Sequence, residues 1–260
     1  MSLIAWYPLN GDTKDYSGNN FHLNDNGNTI NNDGKIGKCY SFTTNTPMTY
    51  TGWILPQNSV YNDFTVTAWI YPTETPTAHG YNVVSFGQNK VLRFRLNPNN
   101  RIWAIWGGSN TDTTCASITS STVLSLNKWY HIAFRIKNGK GSLFINGKYD
   151  VGNSDAKQID YVLNTLFIGG FKNGVAYEAW KGKLNDIRIY NHALTGKEIK
   201  DVLNYDEAVE GFFKQGEVES TGESIINYLT KKGLSRSHID ELLYKLDDEL
   251  TSLWNKIVEI

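Results

Sequence analysis

Cysteine is nearly absent. Cys39 and Cys115 are the only two in 260 residues, too few for a disulfide framework and without metal-ligand spacing, so both read as ordinary strand residues. Proline is scarce, at six, and no apolar run approaches the roughly 18 residues that a spanning helix needs, which excludes a transmembrane segment of that kind. No Asn-x-Ser/Thr acceptor occurs, which disfavours a eukaryotic secretory origin. Residues 1–10 lack the basic and apolar regions of an export signal, so a cytoplasmic chain or one released by lysis is expected. Charge of one sign is missing too: 25 basic and 26 acidic residues leave a net charge of −1. Residues 207–260 hold eleven acids and six bases, against fifteen acids and nineteen bases before them. Neither part concentrates Lys and Arg enough to make nucleic acid the expected partner.

Aromatic residues are plentiful at 13%, with 8 Trp and 15 Tyr. Short runs of alternating polarity, separated by Gly, Asn, Asp and Thr clusters, predict an all-β sandwich or jelly roll over residues 1 to about 192. Phe64 to Tyr71 alternates at period two, putting Phe64, Val66, Ala68 and Ile70 on one face and Thr65, Thr67, Trp69 and Tyr71 on the other. Val91–Leu96 and Arg101–Trp106 form a hairpin across Asn97-Pro98-Asn99-Asn100. Trp129–Ile136, Gly141–Ile145 and Lys148–Val151 form a meander, whose turns Asn138-Gly139 and Asn146-Gly147 supply the positive φ that tight hairpins need. Leu166–Gly170 and Lys183–Tyr190 complete the strands.

At His192 the pattern turns helical. Thr195 reads as an N-cap, with Glu198 closing a capping box. The β domain is expected to span residues 1–206, followed by a helical tail over 207–260. In that tail Gly233 ends a short helix. Ile239, Leu243, Leu246, Leu250, Leu253, Ile257 and Ile260 then recur at four and three, a heptad seam of about three repeats. A lone helix of this length is marginal in water, so the stripe needs a partner surface. Three remain open: a self-associating coiled coil, an anchor onto a larger assembly, and a hairpin folded back within the chain.

Several blocks carry a resemblance to a known family. They are Ala5-Trp6-Tyr7-Pro8-Leu9-Asn10-Gly11 with Asp15-Tyr16-Ser17-Gly18-Asn19; Lys35 to Phe42; Phe64 to Pro72; Trp129-Tyr130-His131-Ile132-Ala133 with Leu143 to Lys148; and Lys183 to Leu194. In this order they resemble the laminin G-like branch of the concanavalin A-like lectin and glucanase superfamily. The resemblance, which covers most of residues 1–206, implies a jelly-roll sandwich of two antiparallel sheets, to which the pattern of residues 207–260 adds a C-terminal α-helical tail. Sandwiches of this type host lectins, adhesion modules, enzymes and spacers, so function must come from the site.

Glucanases of that superfamily share a Glu-x-Asp-x-x-Glu run that sets two carboxylates about 5 Å apart. That run does not occur here. Glu74 stands alone, Glu178 reads as a solvated loop residue, and His131, inside a strand pattern, reads as a structural imidazole. A non-enzymatic chain is therefore expected, with a glycoside hydrolase or lyase as the remote alternative. Sugars present apolar C–H faces rimmed by hydroxyls, so a sugar site needs exposed rings beside polar groups. Trp103, Trp106, Asn110 and Asp112 form the best local match, with Tyr81, Tyr177 and Trp180 as further candidates and Trp53 and Tyr61 behind them. Trp103 and Trp106 fall on opposite strand faces. Trp106→Ala is expected to abolish glycan binding without unfolding the chain.

The resemblance also implies a structural Ca²⁺, for which Asp15 and Asp186 are the hard oxygen donors; turn capping by Asp15 and a strand-end role for Asp186 is the competing reading. The expected partner is a bacterial surface glycan. The chain itself, or a virion assembly, is expected as the second partner through the heptad helix. These features suggest a phage tail, receptor-binding protein or phage-tail-like bacteriocin, with a purely structural decoration or baseplate subunit as the rival.

Overall fold

A computed structural model describes residues 3–43, 45–52, 62–77, 79–86, 92–107, 115–158, 165–173 and 176–215. Among the described residues it is a sandwich of two antiparallel sheets. In chain order the strands are β1 (Leu3–Tyr7), β2 (Thr29–Asn31), β3 (Cys39–Phe42), β4 (Met48–Thr51), β5 (Phe64–Pro72), β6 (Tyr81–Phe86), β7 (Leu92–Leu96) and β8 (Arg101–Trp106). They continue as β9 (Ala116–Val123), β10 (Tyr130–Lys137), β11 (Lys140–Ile145), β12 (Lys148–Ala156), β13 (Thr165–Ile168), β14 (Lys172–Asn173), β15 (Ala176–Tyr177) and β16 (Gly182–Tyr190). The larger sheet runs β12-β11-β10-β5-β16-β3-β2, with β1 also on β16, and the smaller runs β4-β13-β6-β7-β8-β9. β14 and β15 form a separate two-stranded ribbon.

The turns arise where the backbone needs them. Asn138 and Gly139 stand at φ 50° and 75°, and Asn146 and Gly147 at 49° and 71°, the left-handed geometry whose twist matches the flanking strands. Asn100 at φ 53° closes the β7–β8 hairpin, in register from Leu92 opposite Trp106 to Leu96 opposite Ile102.

Period-two side chains from both sheets meet in one core. Phe64, Val66, Ala68 and Ile70 of β5 and Leu92, Phe94 and Leu96 of β7 are all fully buried. The opposite face of β5 is covered as well: Thr65 and Thr67 are fully buried and Trp69 nearly so. Thr65 Oγ1 donates to the His192 carbonyl at 2.8 Å and accepts from Leu194 N at 3.0 Å, while Lys35 lies 4.8 Å above the Trp69 ring. The central strand therefore carries no solvent-facing polar row, despite its alternating sequence.

Helix α1 (Gly196–Gln215) begins with the expected capping box. Glu198 N donates to Thr195 Oγ1 at 3.2 Å, and Thr195 N donates back to the Glu198 carboxylate at 2.6 Å. Those bonds hold the Glu198 carboxyl below its ordinary range. The chain divides into compact units Met1–Lys200 and Asp201–Ile260, and α1 runs unbroken through the boundary expected at residue 206. The heptad residues Ile239, Leu243, Leu246, Leu250, Leu253 and Ile257 lie outside the described residues. Among those described, no helix is long and apolar enough to cross a membrane.

Candidate functional site

The outer face of the smaller sheet gathers charge and one accessible indole. In β7, inward Leu92, Phe94 and Leu96 alternate with outward Arg93 and Arg95. Arg95 stands opposite Asn82 of β6 and Trp103 of β8, so Asn82, Arg95 and Trp103 form a row across three strands. The Arg95 guanidinium lies 4.1 Å from the centre of the half-buried Trp103 ring, a cation–π stack that fixes both groups.

Glu178, immediately after β15, closes the row from above. Its backbone joins it to the sheet edge, with Asn82 N donating to the Glu178 carbonyl at 3.2 Å. Its Oε2 accepts Arg95 Nη1 at 3.0 Å and Asn82 Nδ2 at 2.8 Å, and Arg93 Nη1 stands 3.5 Å away. Arg93 in turn covers the Phe171 ring at 3.7 Å. Glu178 is thus no solvated loop residue, since its side chain is only 10% exposed. Burial pulls the Arg95 guanidinium below its ordinary value, and Glu178 opposes that shift. Both guanidiniums thus converge on the same carboxylate oxygen. Arg95 Nε and Asn82 Oδ1 are buried without a hydrogen-bond partner.

The other sequence candidates are not brought together. Trp106 points inward from the same strand as Trp103, is fully buried, packs 5.3 Å from Phe134 and donates its Nε1 proton to the Gly139 carbonyl at 2.9 Å. It is a core residue, which overturns its expected place in a ligand site. Trp180 is likewise sealed in the core. Both corrections have one cause: a two-layer fold needs large rings to fill the gap between sheets, and an indole is the largest available. Tyr81 stands opposite Leu96 on the core side of β6, away from Trp103, and burial, reinforced by the neighbouring Glu74 charge, raises its phenol. Tyr177 contributes backbone to the ribbon with β14, while its side chain and Trp53, Tyr61, Asn110 and Asp112 lie outside what the structure describes.

The two carboxylates expected to hold Ca²⁺ are both engaged by protein donors. Asp15 Oδ1 accepts Trp6 N and Ser17 N at 2.9 Å each, and Oδ2 accepts Ser17 Oγ at 2.9 Å and Phe21 N at 3.0 Å. Asp186 Oδ1 accepts Trp6 Nε1 at 2.6 Å, and its Oδ2 pairs with Arg188 Nε at 2.9 Å. A guanidinium already supplies the positive charge at Asp186, so this donor set does not fit a cation. Asp186 reaches Trp6 because β16 bulges between Asn185 and Arg188, with Asp186 at φ 43°. Among the described residues no group of three or more His, Cys, Asp or Glu could hold a metal.

His131 is fully buried, with neither ring nitrogen hydrogen-bonded. Desolvation, then Arg188, pushes its value down to about 3, so the ring is neutral at physiological pH. Burial likewise raises the Cys39 thiol to about 12, which makes it unreactive.

Fold and site together define a two-sheet β-sandwich with a polar, aromatic outer row. Residues 41–200 match the family described as the concanavalin A-like lectin/glucanases superfamily, and the chain belongs to it. Among solved structures, it is similar to the binding domain of a paraclostridial mosquitocidal protein, with TM-score 0.61, 21% identity, 78% of this chain and 52% of that one. Domain 4 of the GH43 arabinanase AbnA from Geobacillus stearothermophilus, solved with arabinotriose, gives 0.61, 22%, 78% and 98%. The binding domain of botulinum neurotoxin serotype G gives 0.57, 16%, 78% and 50%. At these identities the likeness is one of fold. Human usherin is 31% identical over 87 residues, which are 31% of this chain and 2% of usherin. The chain thus spans a small part of that relative and about half of the toxin domains.

Proposed function

We propose that this chain is a non-catalytic binding module for a surface saccharide, and that the row Asn82, Arg95 and Trp103 is where the ligand sits. The observation that carries this reading is the Trp103 ring held on an open sheet face by the guanidinium of Arg95. The indole offers a surface for the C–H face of a sugar, and the guanidinium offers donors for hydroxyl or acidic groups. The fold shared with an arabinotriose-bound domain and with toxin binding domains supports it. Glu178, its carboxylate held by two guanidiniums and an amide, is engaged as an ion-pair partner, which favours binding over hydrolysis.

We extend the proposal to a bacterial surface glycan and to multivalent display on a phage tail or similar particle. The support is the heptad pattern from Ile239 to Ile257, because linked copies of a weak site gain avidity without new contacts. A structural virion subunit is the second reading; it predicts that Trp103 faces protein. The full chain on a glycan array separates the two: retained saccharide signals support the module, and an array blank at high protein concentration supports the structural role. Sedimentation then reads whether the chain self-associates.

A further inference from the structure

The larger sheet carries a different feature at its other end. Along the outer face of β10, β11 and β12 runs a groove of about 530 Å³, lined by Arg135, Lys137, Lys140, Ser142 and Tyr149 among others and by no carboxylate. Lys137 and Lys140 stand directly opposite one another across the Asn138-Gly139 turn, and Arg135 follows on the same face opposite Ser142. Like charges placed opposite each other destabilise a strand pair. Both lysines are exposed, and neither has an ion-pair partner among the described residues. Arg135 is fixed in place, donating to the Leu194 carbonyl at 3.2 Å and lying 4.9 Å from the Phe144 ring, while its Nε is buried without a partner.

An aromatic ring completes the groove. Tyr149 is 61% exposed, the most of any large hydrophobic side chain among the described residues, and stands edge-on to Phe144 at 5.7 Å. Gly152 makes room for it: a Cβ there would lie 2.5 Å from the tyrosine hydroxyl. Glycine weakens a strand interior and often marks a close approach. Here it lets the ring lie along β12 with one side open to the groove.

We infer that this groove is a second ligand site, taking an anionic polysaccharide whose sulfate or carboxylate groups meet Lys137, Lys140 and Arg135 while a sugar ring stacks on Tyr149. Cations alone would serve any polyanion; the exposed ring beside them adds a surface for the apolar C–H face of a sugar. Carboxylates or sulfates relieve the lysine repulsion on binding, and the attraction is screened by salt.

The test uses the full chain with dextran sulfate, polygalacturonate and uncharged dextran, followed by titration calorimetry at low and physiological salt. Both charged polymers are expected to bind, more weakly as salt rises, and dextran is expected not to bind. The double variant Lys137→Gln/Lys140→Gln is expected to lose about tenfold in affinity. Tyr149→Ala is expected to weaken binding at unchanged salt dependence, and Gly152→Ala to weaken it by displacing the ring. Equal affinity in the double variant overturns the site. Full affinity in Tyr149→Ala, or equal capture by phosphatidylglycerol vesicles, overturns the assignment to saccharide.

Discussion

The Trp106 ring lies flat against the backbone of Gly141. A Cβ added to that glycine would fall 2.8 Å from ring atoms Cζ2 and Cζ3, and the fully buried indole has no room to retreat. Gly141→Ala is therefore expected to destabilise the fold by about 1–3 kcal/mol through overpacking. Trp106→Ala empties the same place and is expected to cost about 3–5 kcal/mol. Urea unfolding of both variants checks this. Wild-type stability in either would place the ring outside the core.

Acid sensitivity centres on His131. Its folded value near 3 lies below the unfolded value of about 6.5, so the unfolded chain binds the proton that the folded chain refuses. The neutral ring's contribution is fully present above pH 6.5 and is lost as pH falls from 6.5 toward 3, at up to about 1.4 kcal/mol per pH unit. His131→Phe keeps the packing against Trp69 and is expected to flatten that part of the stability–pH curve. An unchanged slope in the variant would contradict the buried neutral imidazole.

The Asp186–Arg188 pair beneath Trp6 makes a further claim, since both side chains are less than a tenth exposed. Removing the carboxylate takes this counter-charge from a buried guanidinium, so Asp186→Ala is expected to cost about 3–5 kcal/mol. Excess chelator is expected to leave the wild-type melting temperature unchanged, because the charge is balanced by a guanidinium. A melting temperature that falls with chelator and recovers with Ca²⁺ would contradict that assignment.

The hairpins and turns were legible because each has a local cause. Period-two alternation in β5 and β7, the two Asn-Gly turns and the Thr195–Glu198 box all depend on residues near in sequence. The site was less legible because it depends on which face of a strand becomes interior. Trp103 and Trp106 are three residues apart and must face opposite ways, yet only the facing sheet decides which one fills the core. Glu178 meets Arg95 across 83 residues of chain, a distance no local pattern spans. One signal was available: Leu-Arg-Phe-Arg-Leu in β7 puts two guanidiniums on one face of a strand whose other face is wholly apolar. That pattern calls for an acidic partner nearby, and the lone Glu178 was the residue to suspect. Similarly, Asp186 was expected as a cation ligand because the resemblance implied one, and its bond to the Trp6 indole spans 180 residues of chain, beyond any local pattern.

The central claim is tested most directly by titrating a saccharide identified on the array against the wild type and Trp103→Ala, with melting curves recorded on the same samples. The account predicts that the variant melts close to the wild type and loses most of its affinity, because the half-buried ring contributes to the ligand face and little to the core. Undiminished affinity in a folded Trp103→Ala protein would contradict it.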